Sequence, residues 1–240
     1  VSSGSGGPGP ASRLTAADLL ALGLVVAAFS WIAFRNIRQP GLYGDEAWMG
    51  VSAARFAWGA APAGLSPWKI RVFGHVLPTM LNSYVGPVKG YILAAAFSFF
   101  GVSVPVLRGT TASVGLLGVV ALYFLARQQF GRLAAAASTL LLATDLSFVL
   151  AVRCDWGPVD FAFFARVAAI LLLLSWQRNR GRRRLLFLAS LLLGLGLSFK
   201  LDFLGTIAAV VVAWAVFYGV RFRPRSREAA LAAGGFLLGS

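Results

Sequence analysis

Asp45 and Glu46 stand side by side in Gly41-Leu-Tyr-Gly-Asp-Glu-Ala-Trp-Met-Gly50, just after the first apolar run of a 240-residue chain with only eight acidic side chains. A carboxylate crowded by a second one near lipid is tuned toward proton transfer, so the pair reads as a general base. Asp45 also follows Gly44 at the head of an expected short helix over residues 46–58, where an aspartate makes a good N-cap. Both roles fit one residue.

A second polar cluster, Arg153-Cys-Asp-Trp-Gly-Pro-Val-Asp160, holds a cation and two acids around a Gly-Pro turn. Asp160 is placed to cap the helix that follows, while Arg153 and Asp155 beside Trp156 read as paired charges at a cavity rim. The third is Ser198-Phe-Lys-Leu-Asp-Phe203. Its Lys200 and Asp202 either snorkel to the interface or bind a phosphate, for which a lysine point charge is suited. Lys89 and Arg108 are further cations of this kind, and Arg166 lies mid-span, where it needs an interior partner. Trp48, Trp58, Trp68 and Trp156 are read first as interfacial aromatics and second as platforms for a sugar ring.

Composition says what must position these groups. The chain is 58% apolar and 12% charged, with a mean hydropathy of +0.77, against about 45–50% apolar for ordinary soluble domains. We therefore expect an all-α polytopic membrane protein. Open sheets leave unpaired backbone in lipid, so the apolar runs at 16–34, 103–126, 133–152, 158–177, 185–203 and 204–220 read as about six transmembrane helices. The net charge of +14 sits largely in short loops, at Arg127/Arg132, Arg178–Arg184 and Arg221–Arg227. That is the positive-inside pattern and argues against nucleic acid as a partner. A single cysteine, Cys154, excludes an intrachain disulfide and a cysteine-based zinc cluster, and a single histidine, His75, argues against an imidazole metal site. A divalent cation held by carboxylates and water stays open.

Residues 1–15 are expected to be a disordered Gly/Ser/Pro-rich tail, 16–220 a transmembrane catalytic module, and 221–240 a cytoplasmic basic loop with the start of a truncated further helix. Residues 84–102 decide topology. If they lie in the interface, Asp45 is outside the cytoplasm; if they span, it is inside. Arg35, Arg38, Arg55, Lys69 and Arg71 in the same loop favour the second choice by charge counting. The first gathers Asp45, Glu46, Asp145, Asp155, Asp160 and Asp202 on one face, as an outward polar site requires.

The ordered series Asp45-Glu46, Leu77-Pro-Thr-Met-Leu-Asn-Ser-Tyr-Val-Gly-Pro-Val-Lys-Gly-Tyr91, Leu142-Ala-Thr-Asp145, Asp155-Trp-Gly-Pro158 and Gly194-Leu-Gly-Leu-Ser-Phe-Lys200 resembles the N-terminal half of GT-C glycosyltransferases. The resemblance covers residues 16–220 and is to relatives of dolichyl-phosphate-mannose protein mannosyltransferases and of the lipid A aminoarabinose transferase. It implies interfacial helices in the first outer loop, Asp45 outside, and a multi-pass protein of the plasma (inner) membrane whose site faces the periplasm or exterior. It further implies transfer of a sugar from a polyprenyl-phosphate carrier to an acceptor lipid, glycan or protein. Carried over, Asp45 is the catalytic aspartate, Glu46 the second acid and Asp155 the acid of the second outer loop. Lys89, Arg153 and Lys200 are the cations expected near the donor phosphate. Two positions depart from the family pattern. Where the aminoarabinose branch has Lys immediately before a proline, this chain has Gly86 and places Lys89 two residues after Pro87, and Asp160 falls outside the pattern. A transporter or lipid-flipping protein is the rival class, though no internal repeat links 16–126 with 133–220. A non-catalytic scaffold would be insensitive at Asp45.

Overall fold

In the computed structural model, residues 14–58, 69–73, 75–81, 84–179, 181–218 and 226–240 are described. The tract at 1–13 read as a disordered tail lies outside them, as do Trp68, Arg180, Arg221, Arg223 and Arg225. The architecture is helical, as the apolar runs require. Helix α1 (Ala16–Phe34) starts at Thr15, whose hydroxyl and the Asp18 carboxylate cap each other's backbone. After the short helix α2 (Gly44–Ala57), strands β1 (Lys69–Val72) and β2 (His75–Pro78) pair antiparallel, with Lys69 opposite Pro78 and Ile70 opposite Leu77. The apolar pattern gave no sign of this hairpin.

Helix α3 (Val88–Phe100) answers the question of residues 84–102 in part. Its 13 residues reach about 20 Å, short of the roughly 30 Å hydrocarbon core. Gly101 turns the chain at φ 81°. Helix α4 (Val104–Phe130) then starts at the Ser103 cap with Pro105 in its first turn, where the missing N–H has no helical partner to lose. Helices α5 (Arg132–Thr144) and α6 (Leu146–Arg153) form one run bent by 60° at Asp145. The Asp145 carboxylate accepts the Phe148 N–H at 2.7 Å, capping α6 at the break.

Helix α7 (Val159–Arg178) and helix α8 (Arg183–Phe199) follow, then a 3-10 turn (Leu201–Phe203), helix α9 (Leu204–Tyr218) and helix α10 (Ser226–Gly239). Among the described residues α1, α4 and α7 are each long and apolar enough to cross a membrane, and α5 with α6 makes a fourth crossing if the bent pair is one span. The two remaining apolar runs, α8 and α9, are helices of 17 and 15 residues. Gly235 lies against Phe187, and Gly239 against Leu191 and Leu195. Small residues let α8 and α10 touch backbone to backbone. Contacts that advance together along both helices mean the two run parallel, so α9 returns the chain between them.

The two largest apolar clusters hold the long helices of this bundle. Val25, Phe29 and Ala33 of α1 pack on Ala112 and Val119 of α4 and on Val149 and Val152 of α6. Phe161, Ala165 and Ala169 of α7 pack on Leu193 and Phe199 of α8 and on Phe203. Helix α4 contains no acidic residue, and its two outermost arginines draw partners from elsewhere. Arg127 bonds Asp18 of α1 at 2.9 Å, and Arg108 bonds Glu46 of α2. The two arginines stand 19 positions apart, about 28 Å along the helix, close to the thickness of the bilayer core.

Candidate active site

The site is built where α2, α3 and the α6–α7 turn meet. Helix α2 begins at Gly44, so Asp45 and Glu46 are its second and third residues, and Asp45 is not the N-cap that its place after Gly44 had led us to expect. Neighbours on a helix point about 100° apart. Asp45 therefore faces outward and is exposed, while Glu46 turns inward and is buried. Glu46 folds back to accept the Tyr43 N–H at 3.1 Å, satisfying one orphan donor of the helix start.

Glu46 also takes a fork from Arg108, Nε to Oε1 at 2.5 Å and Nη2 to Oε2 at 2.9 Å. The same guanidinium donates to the carbonyls of Ile37 at 2.8 Å and Gly41 at 3.2 Å. One buried arginine thus fixes both the lead-in loop and the first turn that carries Asp45. A bidentate Arg–carboxylate pair holds orientation as well as position.

Lys89 anchors the second half. It sits on the first turn of α3 and is fully buried. Gly86 makes its approach, since a side chain there would collide with the Ser198 carbonyl. The Lys89 ammonium donates to Asp155 Oδ1, to the Gly157 carbonyl at 2.6 Å and to Asp160 Oδ1 at 3.4 Å, and lies 5.4 Å from the Phe161 ring centre. Asp155 takes a left-handed conformation, φ 49°, which aspartate tolerates better than most residues, and Gly157 follows at φ 69°. Such conformations persist where the surroundings dictate them and cluster at functional sites. The second oxygens of Asp155 and Asp160 are buried without a hydrogen-bond partner.

Three formal charges therefore leave this triad one negative charge in excess. Burial works against the Lys89 charge, but its two carboxylate neighbours outweigh burial and hold the ammonium above its ordinary value. Burial pushes the Asp155 carboxyl up; Lys89 pulls it back, and the charges of Glu46 and Asp45 add to the upward push. The two halves are thus electrically in reach of each other. They also touch, since the Tyr43 and Trp156 rings lie 6.1 Å apart.

Of the residues singled out in the sequence, the structure brings Asp45, Glu46, Asp155 and Lys89 together. Lys200 is at the edge of this group: its neighbour Leu201 donates its N–H to the Tyr84 carbonyl at 3.1 Å, beside the lead-in to α3. Its ammonium meets Asp202 at 3.1 Å, with the side chains 35% and 59% exposed. Arg153 faces the other way and donates to the carbonyls of Ile32 (3.3 Å), Asn36 (2.5 Å) and Gln39 (2.9 Å). It grips the end of α1 and the loop that Arg108 holds from the opposite side. The Glu46–Arg108 pair and the contact of Lys89 with Asp160 were not foreseen. The signal for the first was present, because a basic residue on an acid-free apolar helix must find its anion elsewhere. Among the described residues no group of three or more His, Cys, Asp and Glu is placed to hold a metal ion.

Apolar helices that end in a shared cluster of buried charges define an integral membrane protein with a polar site at one end of its helices. Residues 84–239 match the family described as dolichyl-phosphate-mannose-protein mannosyltransferase, and the chain belongs to that family. Its fold is that of the GT-C membrane glycosyltransferases. It matches the crystal structure of ArnT from Cupriavidus metallidurans bound to undecaprenyl phosphate with a TM-score of 0.69 at 21% identity, over 93% of this chain and 40% of that one. The chain thus spans well under half the length of that protein. No curated protein matches the chain in sequence.

Proposed function

We propose that the chain is the N-terminal catalytic part of a glycosyltransferase that moves a sugar from a polyprenyl-phosphate carrier to an acceptor hydroxyl, with Asp45 as general base. The observation that carries this reading is selective exposure. Glu46, Asp155 and Asp160 are buried against Arg108 or Lys89, whereas Asp45 is open to an incoming group. A base must reach the proton it removes. An Asp45 oxygen takes the proton of the acceptor's hydroxyl as the hydroxyl oxygen attacks the anomeric carbon. The bond from that carbon to the phosphate oxygen breaks, and the electron pair leaves with the polyprenyl phosphate. A single displacement inverts the anomeric centre.

Lys200 is the predicted cation least committed to the protein, and it serves the leaving phosphate, where a fixed positive charge meets charge that develops in the transition state. Lys89 and Arg153 act one step back. Lys89 gathers Asp155 and Asp160, and Arg153 holds the loop behind α2. The shortness of α3 supports an interfacial first loop, with Asp45 on the extracytoplasmic face of a plasma membrane.

The decisive experiment is Asp45→Asn in the full-length protein, assayed in membranes for transfer from a polyprenyl-phosphate sugar. We expect a loss of about 10²–10⁴-fold with insertion unchanged. An Asn variant of ordinary activity would rule out the base. Cys154 is buried, so sidedness calls for a new thiol. Phe73, 98% exposed, becomes one in a Cys154→Ser/Phe73→Cys protein. Labelling of intact cells by a membrane-impermeant maleimide supports the outer placement; labelling only after permeabilisation contradicts it.

A further inference from the structure

Arg166 lies seven residues into α7, about 10 Å below its start, on a helix long enough to cross the bilayer. Its Nε donates to Thr206 Oγ1 of α9 at 2.8 Å, and its guanidinium carbon lies 5.5 Å from the Phe203 ring centre. Arg108 and Arg127 each hold a carboxylate. Arg166, among the described residues, meets none, and its side chain is exposed. An arginine at membrane depth without a counter-ion is disfavoured unless something anionic comes to it.

Beside it runs a cavity of about 930 Å³ between α7 and α9. Its walls are aliphatic and aromatic, with Leu173 and Trp176 on one side and Val210 and Trp214 on the other. The outer wall is open: Val211 and Trp214 of α9 are 57% and 37% exposed. A bilayer lipid therefore has lateral access to the groove.

We propose that this groove seats one chain of an anionic glycerophospholipid whose phosphate pairs with Arg166. Thr206 and Phe203 fix the guanidinium through its Nε and its face, which leaves the terminal nitrogens for the two-point contact that suits a phosphate. The chain fills the apolar cleft toward Trp176 and Trp214. A free phosphate ion would satisfy the charge and leave the cleft empty, so the lipid matches both halves of the site. The site is separate from the carboxylate cluster and belongs to the lipid-facing wall of α7 and α9.

The test uses the whole chain in phosphatidylcholine nanodiscs doped with phosphatidylglycerol or with extra phosphatidylcholine, each brominated on the acyl chains. The reporter is the tryptophan quenching that disappears in Trp214→Phe. In the wild type, brominated phosphatidylglycerol should reach half-quenching at about fivefold lower mole fraction, the factor expected of one basic residue near anionic lipid. Arg166→Gln should bring the two lipids level, and Arg166→Lys should keep part of the preference. Equal quenching by both lipids in the wild type would overturn the proposal whatever the variants do. So would a preference that survives in Arg166→Gln, or one that inorganic phosphate abolishes.

Discussion

Replacing Lys89 by methionine tests how the buried charges hold the site together. Lys89 is fully buried, and Asp155 and Asp160 are 0% and 1% exposed. Methionine keeps the stem's bulk and removes the charge, leaving two carboxylates with no cation. Removing one partner of a buried ion pair costs roughly 3–5 kcal/mol, chiefly from the uncompensated charge left behind. The triad already carries one negative charge too many, so Lys89→Met belongs at the upper end of that range. The two acids should then differ. Asp155→Asn removes the anion that Lys89 holds most closely and should destabilise. Asp160→Asn leaves a one-to-one Lys89–Asp155 pair and removes the excess, so it should be neutral or stabilising and should rescue much of Lys89→Met in the double variant. Reversible unfolding in mixed micelles of rising dodecyl sulfate fraction, followed by tryptophan fluorescence and far-ultraviolet circular dichroism, gives the four free energies of the cycle. The reasoning fails if Lys89→Met lies within about 0.5 kcal/mol of wild type, the range of an ordinary surface change. It fails equally if Asp160→Asn is as damaging as Asp155→Asn.

The other predictions concern the same corner. Arg108→Ala should cost about 3–5 kcal/mol by stranding Glu46, while Glu46→Gln/Arg108→Gln should be milder than either single change; additive losses in the same micelle titration would contradict a buried pair. In the pH dependence, the native triad binds a proton more tightly than an unfolded Asp155 of ordinary value 3.8, so stability should fall as pH rises above about that value through the raised native one. Asp160→Asn should flatten that slope, and a wild-type profile that rises over this interval would contradict the sign. The Lys89 contribution is complete below its ordinary 10.5 and should be lost as pH rises from there through the still higher native value. Gly86→Ala places a methyl group against the Ser198 carbonyl, and should lower both thermal stability and transfer activity. Wild-type values for both would mean that the approach of the α3 lead-in to α8 is not needed.

The helical spans were legible because a membrane leaves the backbone few choices, so length and hydropathy carry most of the information. The break at Asp145 was not, since its apolar flanks read as one run and the cap appears only once α6 turns away by 60°. At the site, the residue types were legible and their pairings were not. Asp45 and Glu46 look alike in sequence, and only their 100° separation on α2 makes one exposed and the other part of a buried ion pair. Arg153 looked like a phosphate ligand for the same reason that Lys200 did, a cation beside an acid in an outer loop. Three backbone carbonyls left bare by the end of α1 and its following loop account for where it points instead.

The two departures from the family pattern explain each other. With Gly86 ahead of Pro87, no ammonium stands before the α3 helix, and the lysine two residues after the proline is carried by the first turn of α3 into the bundle. A lone lysine there would be an uncompensated buried charge. Asp155 supplies one anion, and Asp160, on the first turn of α7, supplies a second from the opposite side. Lys89 is thereby converted from a cation that could meet substrate into one that binds α3 to the α6–α7 turn. The placement has a cost in charge balance, visible in the two unpartnered carboxylate oxygens. In return, the turn that carries Asp155 and Trp156 is held against the start of α2, which keeps Asp45 the exposed acid of the group. If that is the purpose of the triad, Lys89→Met should lose transfer activity and Lys89→Met/Asp160→Asn should regain much of it, since the second change removes an anion left without its cation. A double variant no more active than Lys89→Met would show that Asp160 has no part in balancing Lys89.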